Sequence, residues 1–357
     1  MKHIFRNKKI SAAVTVVPKE ERRFDDEYPG YKLTEEKAKK FKKMMGVDRH
    51  RIAAPDVTAS DLCLFGTRWL LNQGLLKKEE IGAVLFVSQT PDYFIPPTSN
   101  VLQGALGLSH DVIALDINQG CTGFLVGLLQ AFLMLEIPSM RKILLLNGDT
   151  CSKQMSRFNR INYPLTGDAG SATIIERCEE DNPIFCLMNM DGTRHQALMI
   201  PAGAYRQPST PETLVPREVE EGVVRSLQHM QMDGPAIFNF TMEDIPKQIE
   251  AALNFSGDSR ESIEYFLLHQ PNEFILKQMT AKMKIEPAKL PSNIVGIYGN
   301  TSSVTVPQNM AHNFGVELEQ KSHRVLMSAF GTGLSWATMV MNLGPLAACK
   351  IMDYEPA

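Results

Sequence analysis

The sequence predicts an α/β fold made of two halves that repeat one order of elements. Three observations carry this. Continuous β-rich runs recur along the chain, as expected for strands buried on both faces. Helix-like segments alternate with them. The alternation pauses at a stretch rich in Pro, Gly, Ser and Thr and then resumes. The halves share no evident sequence identity, only this parallel order.

In the first half "IGAVLFVSQT" from Ile81, "VIALDIN" from Val112 and "KILLLNGDT" from Lys142 read as strands. A helix beginning at Cys121 lies between the last two, so strand, helix and strand form a βαβ unit. "SATIIE" and "NPIFCLMNMDG" read as two further strands. Residues 194–216 read as a long loop or crossover, which divides the chain into 1–193 and 217–357. A helical region is expected from about Glu218 to Leu253. Then come a strand "IEYFLLHQ", a helix from Asn272, a strand "NIVGIYGN" and a helix near Val306 to Phe314. The strands "RVLMSAFGTG" and "LSWATMVMNL" close the order.

The chain has 357 residues, 44% apolar and 22% charged, an ordinary globular composition with ample material for a core. A net charge of -3 argues against nucleic acid or a membrane surface as partner. No apolar run reaches the ~18 residues of a membrane span. The short apolar run after "MKHIFRNKK" is β-branched and ends in Pro18, so it reads as a first strand and not as a signal peptide. The six cysteines form no C-x-x-C pair and have no zinc spacing, which suits a reduced, cytoplasmic chain without a metal. "TEEKAKKFKKMMG" reads as a solvated helix face, because Glu35 and Glu36 offset its lysines.

Candidate chemistry starts at "DINQGCTGFLVGLLQAF". Phe124, Leu125, Val126, Leu128, Leu129 and Phe132 cover all faces of the helix, and such a helix is buried in the middle of a domain. Its N-terminal N–H groups and dipole favour negative charge. A cysteine there is expected to have a lowered pKa and a larger thiolate fraction. Gly120 and Gly123 leave room for substrate. The competing reading of Cys121 is a small buried hydrophobe.

"YFLLHQPN" puts His269 at a strand end, and "GIYGNTSSVTVP" puts Asn300 just after another run. Sites in open α/β sheets gather at the carboxyl ends of strands, so Cys121, His269 and Asn300 are candidates for one cleft. Taken singly, His269 also reads as a structural histidine and Asn300 as a turn residue. "SAFGTGLSWA" supplies a glycine-flanked turn, Gly331 to Gly333, able to aim a backbone N–H at an oxyanion; an ordinary hairpin is the alternative.

Together these pieces resemble the β-ketoacyl-acyl-carrier-protein synthase III family of the thiolase superfamily. "GVDRHRIAAP", "DINQGCTGF", "LTGDAGSATII", "NMDGT", "HQPN", "GNTSSVTVP" and "AFGTGLSWA" are similar to seven family segments and stand in the family's order, through nearly the whole chain. The resemblance implies a thiolase-like five-layered αβαβα fold, a homodimer and a Cys121–His269–Asn300 triad. Cys121 would take an acyl group from a thioester. His269 and Asn300 would hydrogen-bond a malonyl unit whose decarboxylation supplies the attacking carbanion. The N–H groups of Cys121 and Thr332 would hold the oxyanion. No cofactor is implied; the partners are acyl carrier protein or acyl-coenzyme A.

The family's Trp and Arg for the adenine end of coenzyme A fall at Lys40 and Met44, which favours a carrier-bound donor. Its carrier-docking Arg falls at Phe274; Lys277 lies one turn on, and Asn272 begins the same segment. Tyr93, Phe94 and Ile95 fall where the family builds the acyl pocket and the dimer contact. These departures and the 194–216 loop suggest a specialised acyl chain. Two other functions stay open: an acyltransferase to a sugar or metabolite hydroxyl or amine, and a non-catalytic partner subunit. In relatives that transfer to heteroatoms an acid often replaces Asn300, and inert subunits usually lose the cysteine.

Overall fold

The computed structural model describes residues 1–356. Its main strands are β1 (Lys2–Phe5), β2 (Lys8–Val17), β3 (Ile81–Val87), β4 (Ile113–Ile117), β5 (Lys142–Asp149), β6 (Ala169–Arg177), β7 (Ile184–Met190), β8 (Tyr265–Leu268), β9 (His323–Gly331), β10 (Ser335–Leu343) and β11 (Cys349–Asp353). The helices that matter for the site are α1 (Glu35–Met45), α2 (Ala59–Asn72), α3 (Gly123–Met134), α4 (Gly234–Ser256), α5 (Glu273–Met283) and α6 (Thr305–Gln320).

The strands form a six-stranded sheet, β11-β2-β6-β5-β3-β4, and a five-stranded sheet, β1-β7-β10-β9-β8. Side chains alternate across each sheet, as strand geometry requires. On β3, Ala83, Leu85 and Val87 face the central core with α3 and α6. Val84 and Phe86 join α2 on the other face. On β9, Val325 and Met327 face the same central core, and Leu326 and Phe330 join α4 and α5 outside. The layers therefore run helix, sheet, helix, sheet, helix.

The all-apolar α3 occupies the middle layer: Phe124, Leu125, Leu128 and Phe132 are fully buried there. Burial of each phenylalanine contributes about 1.5–3 kcal/mol. The two chain halves interlock. β1 and β7 come from the first half and lie in the five-stranded sheet, while β11, the last strand, pairs in parallel with β2.

Two elements differ from the sequence reading. Residues 218–253 are not all helix: Arg217–Glu220 and Val223–Arg225 form an antiparallel hairpin. "REVEEGVVR" carries three valines on either side of a glycine, and Gly222 turns the chain at φ 72. The helix starts only at Gly234, where the Asp233 side chain accepts from Ala236 N–H and proline stands in the first turn. "NIVGIYGN" is not a strand. Val295–Tyr298 is one helical turn, packed so that a Cβ on Gly296 would stand 2.4 Å from the Gly46 carbonyl. No strand of either sheet pairs with this segment, whose one strand-like pairing among the described residues is an isolated bridge between Asn300 and Thr166. Within 194–216 the order is a 3-10 turn, a two-residue strand and the short helix Pro211–Leu214. Among the described residues no helix is long and apolar enough to cross a membrane.

Candidate active site

Cys121 lies just ahead of α3, with Thr122 as the cap residue. The Thr122 hydroxyl lies 2.8 Å from Ser335 Oγ and donates to the Ser335 carbonyl at 3.1 Å, which fastens the front of α3 to the start of β10. The β9–β10 turn then comes to rest on the cysteine. A Cβ on Gly331 would stand 2.7 Å from Cys121 Cβ and 3.0 Å from its Sγ, so this contact requires glycine. Gln89 Nε2 donates to Thr332 Oγ1 at 3.3 Å and steadies the same turn. Gly333 carries the turn at φ 135, a value that L side chains rarely adopt. Neither Cys121 N–H nor Thr332 N–H donates to another residue among the described residues.

The lowered thiol pKa expected for Cys121 is not found. Burial pushes the thiol up to about 12, and the charge of Asp149 adds to the effect. The Ser302 hydroxyl and the cysteine's own N–H pull the other way and do not win. The helix-terminus argument failed because Cys121 stands outside the first turn, beside a buried carboxyl group that the local sequence does not reveal. That carboxyl, Asp149 at the end of β5, is itself pushed up to about 6 by burial. It accepts from Gln89 N–H at 2.8 Å and from Ser303 Oγ at 3.1 Å.

His269 follows β8, and its N–H extends the parallel ladder to the Ser328 carbonyl at 2.8 Å. The ring is buried, stands edge-on to Phe330 at 5.3 Å, and has Nδ1 2.6 Å from Thr305 Oγ1. Burial drops its pKa to about 3, so the ring is neutral at ordinary pH. Asn300 is held by its backbone: its N–H donates to Leu165 at 2.6 Å, and its carbonyl accepts from Gly167 N–H at 3.0 Å. Gly299, at φ 81, permits this crossing, because a Cβ there would meet the Thr166 carbonyl at 2.6 Å. The Asn300 Oδ1 accepts from Ser302 N–H at 3.0 Å, which leaves the amide NH₂ as its uncommitted group.

A cavity of about 340 Å³ has Cys121, Asn300 and Thr332 among its wall residues. No charged residue lines it, and five methionines do: Met44, Met45, Met155, Met230 and Met232. Asn272, Phe274 and Pro271 also line it, whereas His269 lies behind this wall. Lys277 is on the surface, paired with Glu273 at 2.6 Å, and is not part of the lining. Tyr93, Phe94 and Ile95 are 58%, 79% and 84% exposed and lie outside the cavity formed by this chain. A groove sharing Met44 and Ile161 with the cavity carries Lys37, Lys40 and Arg160.

Sequence reasoning missed Asp149, Cys151, Ser302 and Thr305. Cys151 lines the cavity, and its thiol is pushed well up by burial. "GNTSSVT" crowds hydroxyl groups behind Asn300, and that crowding was the available signal for Ser302 and Thr305.

Two interleaved βα halves around a central helix layer, with a cysteine ahead of the central helix, an amide after a helical turn and a buried imidazole at a strand end, define a thiolase-type condensing enzyme. Comparison with known proteins narrows this. The family described as 3-oxoacyl-[acyl-carrier-protein (ACP)] synthase III matches residues 115–192, and its C-terminal region matches residues 253–343. A Campylobacter jejuni protein named as a 3-oxoacyl-[acyl-carrier-protein] synthase 3 is 33% identical over 357 residues, with 99% of each chain covered. The β-ketoacyl-[acyl-carrier-protein] synthase III of Streptococcus mutans is 31% identical, covering 84% of this chain and 88% of its own. The crystal structure of a 3-oxoacyl-(acyl-carrier protein) synthase from Burkholderia xenovorans superposes with a TM-score of 0.92 at 31% identity, over 99% of both chains. The chain belongs to the 3-oxoacyl-[acyl-carrier-protein] synthase III family and is an acyl-transferring condensing enzyme.

Proposed function

We propose that the protein loads an acyl group on Cys121 and condenses it with malonyl-acyl carrier protein, releasing carbon dioxide and a β-ketoacyl-acyl carrier protein. The observation that carries this reading is the meeting of Cys121 with Gly331 and Thr332 on the wall of an uncharged cavity that also holds Asn300. The uncommitted N–H groups of Cys121 and Thr332 suit the oxyanion that forms on the acyl carbonyl. His269 and the Asn300 amide bind the malonyl thioester oxygen and stabilise the enolate left by decarboxylation. The neutral resting thiol and neutral imidazole make proton transfer from Cys121 part of the loading step.

The donor is a carrier-bound acyl thioester. An uncharged, methionine-rich wall adapts to an apolar chain. The Lys37, Lys40 and Arg160 groove beside it suits the phosphate of a pantetheine arm. The assembly is a homodimer formed across β4, an edge strand with Ile113 and Leu115 exposed.

Intact mass spectrometry after incubation with acyl-carrier and acyl-coenzyme A thioesters tests the reading. One acyl adduct on Cys121, absent from Cys121→Ala, is expected, with carbon dioxide released from malonyl carrier in step with product. Condensation that persists in Cys121→Ala would sink it.

A further inference from the structure

The Arg217–Arg225 hairpin and the segment that precedes it enclose a second cavity of about 440 Å³, which shares no lining residue with the cavity at Cys121. Side-chain hydrogen bonds fix its frame. Gln228 Nε2 donates to Ser209 Oγ at 2.6 Å and to Thr213 Oγ1 at 3.0 Å, and the Ser226 hydroxyl lies 2.9 Å from His229 Nδ1. Thr213 and Ser226 are buried in the wall with their hydroxyl groups already engaged.

Two guanidinium groups of the same wall are not engaged. Arg217 and Arg225 stand directly opposite each other in the antiparallel register, and both line the cavity. Opposed residues have Cα atoms about 4.5–5.5 Å apart, and like charges in that position destabilise a hairpin. The ion pair of this hairpin lies elsewhere, between Glu218 and Lys32 at 2.9 Å, and neither arginine has an acidic partner among the described residues. Arg225 Nε is buried with no acceptor at all. A buried donor without a partner costs free energy until something supplies one. Glu212 is the one acid in this wall among the described residues, and its carboxylate is taken by its own N–H and the Thr210 hydroxyl. Two cations against one anion leave a single positive charge in excess. Val215, Val219 and Leu227 add apolar wall that stays largely exposed.

We propose that this cavity is a second ligand site, built for an amphipathic carboxylate whose head lies between Arg217 and Arg225 and whose hydrocarbon tail covers Val215, Val219 and Leu227. The carboxylate supplies the one negative charge that the wall lacks. Its two oxygens match the planar fork of a guanidinium and give Arg225 Nε–H its missing acceptor. The tail removes exposed apolar surface from water. A free phosphate brings excess charge and leaves the apolar wall uncovered. The site forms and breaks no covalent bond, and it stands independently of the chemistry at Cys121.

Titration calorimetry with octanoate, 1-octanol and inorganic phosphate tests this. Octanoate is expected to bind, and the two probes that carry only the tail or only the charge are expected to bind at least about tenfold more weakly. Arg225→Gln and, separately, Arg217→Gln are each expected to weaken octanoate about tenfold. Without ligand, Arg217→Gln is expected to melt no lower than the wild type, because it removes a like-charge contact. Acyl loading of Cys121 is expected to be unchanged in both variants, which keeps a failure here apart from a failure of the condensing reading. Octanoate that binds both variants as tightly as the wild type overturns the proposal, because the uncharged cavity at Cys121 would then be its site. Octanol binding as tightly as octanoate, or phosphate binding more tightly, also overturns it. A lowered melting temperature in Arg217→Gln would give the pair a structural task instead. If Arg225→Gln fails to fold, Arg217→Gln, at an exposed position, decides.

Discussion

Cys121 and His269 rest as a neutral pair, a thiol pushed up to about 12 and an imidazole pushed down to about 3. Between these values neither group changes charge. The sign for the thiol is plain: a raised pKa keeps the sulfur protonated as pH climbs through the range where an ordinary cysteine ionises. Alkylation of Cys121 by iodoacetamide at pH 8 is therefore expected to be on the order of a thousandfold slower than that of a free cysteine. Its rate should rise about tenfold per pH unit without levelling off near pH 9. Peptide mass spectrometry across pH 6 to about 10 checks this, and a plateau near neutral pH would mean a thiolate at rest. A nucleophile of this kind gains its reactivity when the acyl thioester arrives, from proton transfer and from the two uncommitted N–H groups.

At the scale of elements, α5 shows how one residue serves fold and site together. The Asn272 side chain accepts from Ile275 N–H at 2.9 Å and caps the helix whose first turn puts Phe274 and Ile275 on the cavity wall. Asn272→Ala is expected to lower stability by about 1 kcal/mol, with most of the loss recovered in Asn272→Asp. Urea denaturation measures it. A KM for the acyl donor that rises with the stability loss would show that the frayed turn reshapes the wall.

The β3, β5, β9 and β10 strands and the central α3 were legible because burial on both faces leaves continuous apolar runs. The hairpin at Arg217–Arg225 was hidden by its charge and its lack of a clean alternation. The "NIVGIYGN" turn was hidden because its composition suits a strand and only its long-range packing, with Gly296 against Gly46, shows the helical turn. At the site, Cys121, Asn300 and Thr332 were readable from their motifs. Asp149 was not, because a carboxyl at the end of an apolar strand shows its role only when Gln89 and Ser303 close around it.

On the scale of the whole molecule, β4 forms one edge of the six-stranded sheet, and no further strand among the described residues pairs with it. Ile113 and Leu115 are 45% and 40% exposed, and the Tyr93–Ile95 segment adds further exposed apolar surface. The Phe94 ring meets that of Tyr205, 6.5 Å away, so the 194–216 segment reaches the same apolar surface. Leu115→Lys is expected to convert the proposed homodimer to a monomer in sedimentation experiments. Retention of dimer mass would move the interface elsewhere.

The clasp between the chain's two ends has a consequence for synthesis. Cys349 pairs with Ala13, and β1 borders the sheet that β8, β9 and β10 build. As the polypeptide emerges from the ribosome, its early strands have to wait for partners that are translated last. The apolar α3 is made long before α6 and β9 can cover it. Neither sheet can therefore be completed until the strands from β8 onward have been translated.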